Sequence, residues 1–365
     1  MSEKVKIRWY RCKVDRKVMS KLMRKSNAKG LAQAIPSLLI YAVTGTLAFL
    51  AFRNLNADNW LWALPLVLLA LFVHGTFARF HGGIAIHELS HKTPFASPWL
   101  NTFFTRTFSF IGLFDYVGFR ASHIRHHQVT VHTEHDGEVV LPQGLDWHGI
   151  SFILKQLIID PVRVAKLVGF WFAAAAGRTN HDGFFAGEWL AKVTPESNET
   201  LRREHRNWAR FVLFGHLTLA AIFIATGHWY LIIIFTFGCQ FSGWLEALCG
   251  IPQHIGLAPN VNDFRLCCRS FTAGPLVGFC YWNMQYHIEH HMFPSVPFYH
   301  LPKLREVIKG DLPPATHGLW ATWKSILPIL KRQREDHTYF YVPIVPEIDG
   351  ETVGDDTVLA EASQA

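Results

Sequence analysis

The stretch Trp60–His91, WLWALPLVLLALFVHGTFARFHGGIAIHELSH, decides the fold. Trp60–Ala78 runs for 19 residues without a charge, close to the ~20 residues that cross a bilayer as a helix. Beyond it stand His87 and His91, four residues apart. On a helix that spacing puts both rings on one face. If the helix continues at 1.5 Å per residue, His87 stands roughly 13 Å beyond Ala78. The rings then sit at or above the lipid headgroups, outside the hydrocarbon.

The rest of the chain carries the same signature. Leu31–Phe52 has no charge over 22 positions, and Phe211–Leu245 has none over 35. The latter is too long for one crossing, and Thr226-Gly227-His228 is a natural turn that splits it into a hairpin. Hydrophobic residues make up 50% of the 365 and charged residues 17%, against roughly 25% charged in soluble domains. These features predict an all-α integral membrane protein with about four transmembrane helices and a cytosolic helical cap. Phe95–Phe119, broken by Pro98 and Arg106, reads as interfacial or re-entrant. Ile150–Ala176, apolar but studded with Lys155, Asp160, Arg163 and Lys166, reads as one amphipathic helix lying on the membrane.

Three regions are expected. Residues 1–30 form a basic arm with eleven Lys/Arg and only Glu3 and Asp15 as acids. The positive-inside rule places it in the cytoplasm, and it has no secretory leader pattern. Residues 31–335 form the membrane domain. Residues 336–365, with no Lys or Arg, read as an acidic disordered tail. The arm accounts for most of the net charge of +7, so no nucleic-acid partner is implied. Cys12, Cys239, Cys249, Cys267, Cys268 and Cys280 form no CxxC pair and read as reduced thiols.

Two further histidine clusters join His87 and His91. They are His123-Ile-Arg-His126-His127 and His287-Ile-Glu-His290-His291. Together the clusters hold eight of the 21 histidines, and imidazole is the commonest metal ligand. No full crossing separates the first cluster from the second, and two separate the second from the third. All three are therefore expected on the side of the basic arm. His254, just after the hairpin, is the best candidate for a ninth ligand. A zinc ion takes four ligands, or three when catalytic, so this set exceeds one ion and would serve two. Ligation by nitrogen alone suits iron, copper or zinc. Two irons would allow dioxygen to be reduced by two electrons and an unactivated C–H bond to be broken.

The three clusters, their order and the hairpin between the second and third resemble the membrane fatty acid desaturase and hydroxylase superfamily, whose relations include acyl desaturases, alkane monooxygenases and carotenoid ketolases. The resemblance covers roughly residues 30–310. It implies that His87 and His91 form the first box, His123, His126 and His127 the second, and His287, His290 and His291 the third. His254 matches the extra histidine that members carry between the last membrane helix and the third box. The resemblance further implies a non-haem di-iron centre on the cytosolic side, dioxygen as oxidant and a lipid or acyl substrate. Some members carry a fused haem-binding carrier with an HPGG motif, and none occurs in this sequence. A separate donor protein, whether ferredoxin, rubredoxin or haem protein, is therefore expected to supply electrons. Desaturation and hydroxylation share the first hydrogen abstraction, and the residues do not separate them.

Around the boxes, Asp136 and Glu289 are expected to orient ligand rings through their second nitrogens. Glu88, Glu138 and Asp263 read as solvated or salt-bridged acids. His132 and His135 are weaker candidates for ring support; His74 reads as lining a substrate channel or bonding a neighbouring helix, and His81 as facing the site or as a polar boundary residue. His216 and His228 belong to the far end of the hairpin. The competing reading is a membrane zinc protease, because His87-Glu88-Leu89-Ser90-His91 matches HExxH, but it leaves six box histidines unused. A transporter or metal-storage protein would carry its histidines inside the spanning segments.

Overall fold

The structure, a computed structural model, describes residues 6–139 and 150–346. Helices dominate it. In chain order they are α1 (Arg16–Leu22), α2 (Asn27–Asn54), α3 (Trp60–Phe80), α4 (Ile86–Ser90), α5 (Pro98–Ile111), α6 (Tyr116–Val129), α7 (Ile150–Leu157), α8 (Pro161–Ala175), α9 (Gly187–Val193), α10 (Glu199–Ala225), α11 (Trp244–Gly250), α12 (Phe264–Cys267), α13 (Pro275–Cys280), α14 (His287–Met292), α15 (Leu301–Ile308) and α16 (Leu319–Glu335). The two short strands, β1 (Phe271–Thr272) and β2 (Thr316–His317), pair in parallel. The chain divides into two compact units: the described parts of 27–123 and 146–247 form one, and those of 1–26, 124–145 and 248–365 the other.

In the first of these, α2 packs along α3. Ala48, Val67, Leu71 and Ile234 are buried between them, while Leu39, Val43, Leu47, Leu61 and Leu68 are exposed. Bare leucine and valine on long helices is what a hydrocarbon solvent selects. Among the described residues, three helical stretches are long and apolar enough to cross a membrane: Arg16–Asn54, Trp60–Ser90 and Glu199–Ala225. The chain is an all-α integral membrane protein. α3 runs through a π-helical turn, His81–Ala85, into α4, which is the continuation expected from the sequence.

The return limb of the hairpin differs from expectation. After Gly227, at φ 73°, the chain forms a π turn at Ile232–Thr236 and a 3-10 turn at Gly238–Gln240 in place of a fourth long helix. The cause is local. The His74 ring reaches across from α3, its Nδ1 2.9 Å from Thr44 Oγ1 and its Nε2 3.1 Å from the Ile234 carbonyl. A Cβ on residue 238 would lie 2.8 Å from His74 Nε2, so glycine lets the backbone come that close. His216 Nδ1 meets Thr236 Oγ1 at 3.0 Å. Side chains thus satisfy backbone groups that a regular helix would have satisfied itself, as apolar surroundings demand. The expected Ile150–Ala176 helix is likewise two helices. Asp160 accepts from the N–H groups of Val162 and Arg163, and Pro161 opens α8, the N-cap and N1 chemistry of a helix start.

In the other unit, Trp9 stacks on Phe264 at 4.1 Å, and its indole N–H donates to the Gln128 carbonyl. The basic arm is therefore packed, which charge alone did not foretell. Arg265 is buried and gripped by Asp263 and Asp311. Of the tail expected to be disordered, residues 336–346 are described. There Tyr341 donates to the Gly256 carbonyl at 2.8 Å and bridges Leu257. Residues 347–365 lie outside the described residues.

Candidate metal centre

The first unit gathers three histidines. α4 sets His87 and His91 on one face, their ring centroids 5.7 Å apart. α6 brings His123 to 3.9 Å from the His87 centroid, and His91 Nε2 lies 3.0 Å from His123 Nε2. One ligand nitrogen from each of the three falls within 4.8 Å of the others. Phe119, one turn before His123, stacks on its ring at 5.2 Å.

The second unit gathers the other six. His126 Nδ1 lies 2.7 Å from Asp136 Oδ2, so its N–H donates to the carboxylate. The same oxygen accepts from the Val131 N–H at 2.8 Å. Val131 holds φ at 52°, a left-handed conformation that costs a β-branched residue energy, and that strain aims its N–H at Asp136. His254 donates from Nδ1 to the Cys267 carbonyl at 2.9 Å. Thr130 gives its hydroxyl hydrogen to the His126 carbonyl and so accepts from His291 Nδ1 at 3.2 Å. In all three rings Nδ1 is occupied and Nε2 is left to coordinate. One ligand nitrogen from each of these three lies within 4.8 Å of the others. His287 Nε2 sits 2.9 Å from His254 Nε2 and 3.0 Å from His291 Nε2. Two nitrogens at right angles on one ion, each at about 2.1 Å, would stand about 3.0 Å apart. His127 and His290 form a further pair with ring centroids 5.0 Å apart.

Electrostatics favour ligands over charged groups. Burial pushes His254 down to about 3, with the neighbouring His126 adding to it. Burial, then His127 and His287, push His291 well below the ordinary imidazole value. Both rings are therefore neutral near pH 7, as coordination requires. For His126, burial opposes the cation but Asp136 outweighs it, and the value rises. Burial pushes Asp136 up, yet His126 and the N–H groups of Glu138 and Val131 hold it at about 2. A fixed carboxylate behind the ring makes the opposite nitrogen a better donor. Buried, neutral, oriented imidazoles fit a metal.

Other expectations fall differently. Glu289 is fully buried, but its described contacts go to Ser270 Oγ and Arg305 Nη1, each 2.5 Å away, so it anchors α14. His132 donates to the Thr130 carbonyl at 3.0 Å and meets Trp9 edge-on. His74, His81 and His216 bond backbone or threonine groups of neighbouring segments. Thr130 and the Cys267 carbonyl were not anticipated. Thr130 stands four residues after His126, the spacing of helix neighbours, and that was the available signal.

Comparison with known proteins agrees with this arrangement. The family model described as fatty acid desaturase matches residues 60–323. The Delta(6)-fatty-acid desaturase fat-3 of Caenorhabditis elegans is 24% identical over 313 residues, covering 79% of this chain and 67% of that protein. With the match covering more than half of the chain and every histidine cluster, the chain belongs to the fatty acid desaturase family.

Proposed function

We propose that this protein is a membrane-bound non-haem di-iron desaturase that places a double bond in a fatty acyl chain. His87, His91, His123, His126, His127, His254, His287, His290 and His291 are its ligands, and a ferredoxin, rubredoxin or haem protein delivers its electrons. The observation that carries the reading is the set His126, His254 and His291, with each Nδ1 tied back and each Nε2 available. The balanced reaction takes two hydrogens from adjacent methylenes, with dioxygen, two electrons and two protons, and yields an alkene and two waters. Bound iron would supply the redox chemistry for dioxygen. The chain's own residues do the rest. Asp136, Thr130 and the Cys267 carbonyl set the tautomers of the rings, and burial keeps His254 and His291 neutral. The basic arm, the C-terminus and the histidines face the cytoplasm in this reading, as the positive-inside rule requires.

The test is mass spectrometry of lipids from cells with and without the protein, alongside metal analysis. A new double bond with two irons per chain supports the proposal. A new hydroxyl group would move it to the hydroxylase branch, and one zinc with no lipid change would favour the HExxH protease.

A further inference from the structure

The first unit contains a cavity of about 440 Å³, within the range of small-molecule sites. One wall is aromatic: Phe114, Phe170, Trp171 and Phe184. The other end is cationic: Arg79, Lys155, Arg163 and Lys166. Most of the charges there have partners. Arg79 bonds Glu246 at 3.1 Å, while Lys155 and Lys166 stand 4.0 and 3.9 Å from Asp160 and Asp182. Of the two acids in the wall, Asp115 is held by His205 at 2.8 Å and Asp160 caps α8. Arg163 is different. Its Nε is buried, and no described residue accepts a hydrogen bond from it. Burial, then the neighbouring Arg79, weigh against its cation, and Asp160 and Glu246 offset them only in part. The Nε donor of this guanidinium points into the cavity wall without an acceptor, a buried polar group that a ligand oxygen would satisfy.

The cavity also has a direction. Phe114 and Phe184 in its wall both meet Phe119 edge-on, at 5.3 and 5.9 Å. Phe119 in turn lies on His123. Gly82 and Gly83, in the π turn just before His87, line the same space. The aromatic end is therefore one ring layer from the histidines. The rim is open and apolar, since Val162 and Phe184 line the cavity and are 66% and 50% exposed. Leu154, Leu157 and Ile158 are exposed just before α8.

We propose that this cavity binds a phosphate-bearing acyl lipid of the membrane, with its phosphate on Arg163 and Lys166 and its chain running along the aromatic wall toward His123. Arg163 is thus a specificity-determining residue for substrate. The identification of the bound lipid as substrate rests on the desaturase reading, but binding itself needs neither metal nor turnover, so the two can fail separately.

The test uses the full chain in detergent and three probes: 1-oleoyl lysophosphatidic acid, 1-oleoyl glycerol and inorganic phosphate. Arg163→Gln should weaken the lysophosphatidic acid at least about tenfold, the scale of one charge-assisted hydrogen bond, and leave the uncharged glycerol ester unchanged. Arg163→Lys should recover part of the loss. Inorganic phosphate at the same concentration should not displace the lipid, and displacement would instead mark a free-phosphate site and overturn the assignment. Equal binding by wild type and Arg163→Gln would also overturn it. If Arg163→Gln loses both lipids through misfolding, Lys166→Gln, at an exposed side chain, decides. It should weaken only the phosphorylated lipid, and no change there would refute the proposal.

Discussion

Asp136 holds His126 from behind: carboxylate oxygen and ring Nδ1 are 2.7 Å apart, both buried, on residues ten apart in the chain. Loss of such a partner typically costs 10–100-fold in metal affinity or activity. Asp136→Asn keeps the shape and removes the charge. It is expected to lower iron retention against a chelator by about that factor, and wild-type retention would show that the carboxylate does not support a ligand.

His254 and His132 make a matched pair of substitutions. Both are histidines of the same unit, but only His254 turns Nε2 toward other ligand nitrogens. His254→Ala should reduce bound iron and bring desaturation below detection. His132→Ala should leave both nearly unchanged. The reverse pattern, read by metal analysis and lipid mass spectrometry, would displace His254 from the centre.

The metal-free protein should be acid-sensitive, with a definite sign. His254 is pushed down to about 3 and His291 below its ordinary value, so below pH about 6.5 the unfolded chain binds protons that the folded chain refuses. Their contribution is fully present above that pH and is lost as pH falls. Asp136, held at about 2, adds loss in the same direction at lower pH. The raised His126 acts oppositely, giving stability at low pH that fades as pH rises through its folded value. Between pH 7 and pH 5 the two lowered rings outweigh it. The thermal midpoint of the apo protein should fall from pH 7 to pH 5, and a flat or rising midpoint would contradict the buried neutral rings.

His74 is expected to be structural. His74→Leu leaves the Thr44 hydroxyl and the Ile234 carbonyl without their ring partner, a cost of about 1–3 kcal/mol. Gly238→Ala places a methyl against the same ring. Both variants should unfold at lower temperature while retaining iron. Iron loss without destabilisation would place His74 in the site.

Much of this was legible in one dimension. The helical course of Trp60–His91 and the gathering of histidines along α4, α6 and α14 follow from apolar length and from three- and four-residue spacing, both local properties. Asp136 was legible from its place just after the second box, but nearness to a box misled for Glu289, because its contacts go to Ser270 and Arg305. The return limb after Gly227 was not. There His74, distant in the chain, bonds a backbone carbonyl that a regular helix would have satisfied itself, and His216 bonds the Thr236 hydroxyl.

The amino-acid order by itself determined that this is a membrane protein with clustered histidines able to hold metal, because burial of apolar surface and the reach of imidazole along a helix are set by composition and spacing. Only the tertiary structure decided that Nδ1 is tied back in His126, His254 and His291, that Glu289 anchors a helix and not a ligand, and that Arg163 Nε is buried in a cavity wall without an acceptor. Those outcomes depend on hydrogen bonds between segments far apart in the chain, and no local pattern encodes them.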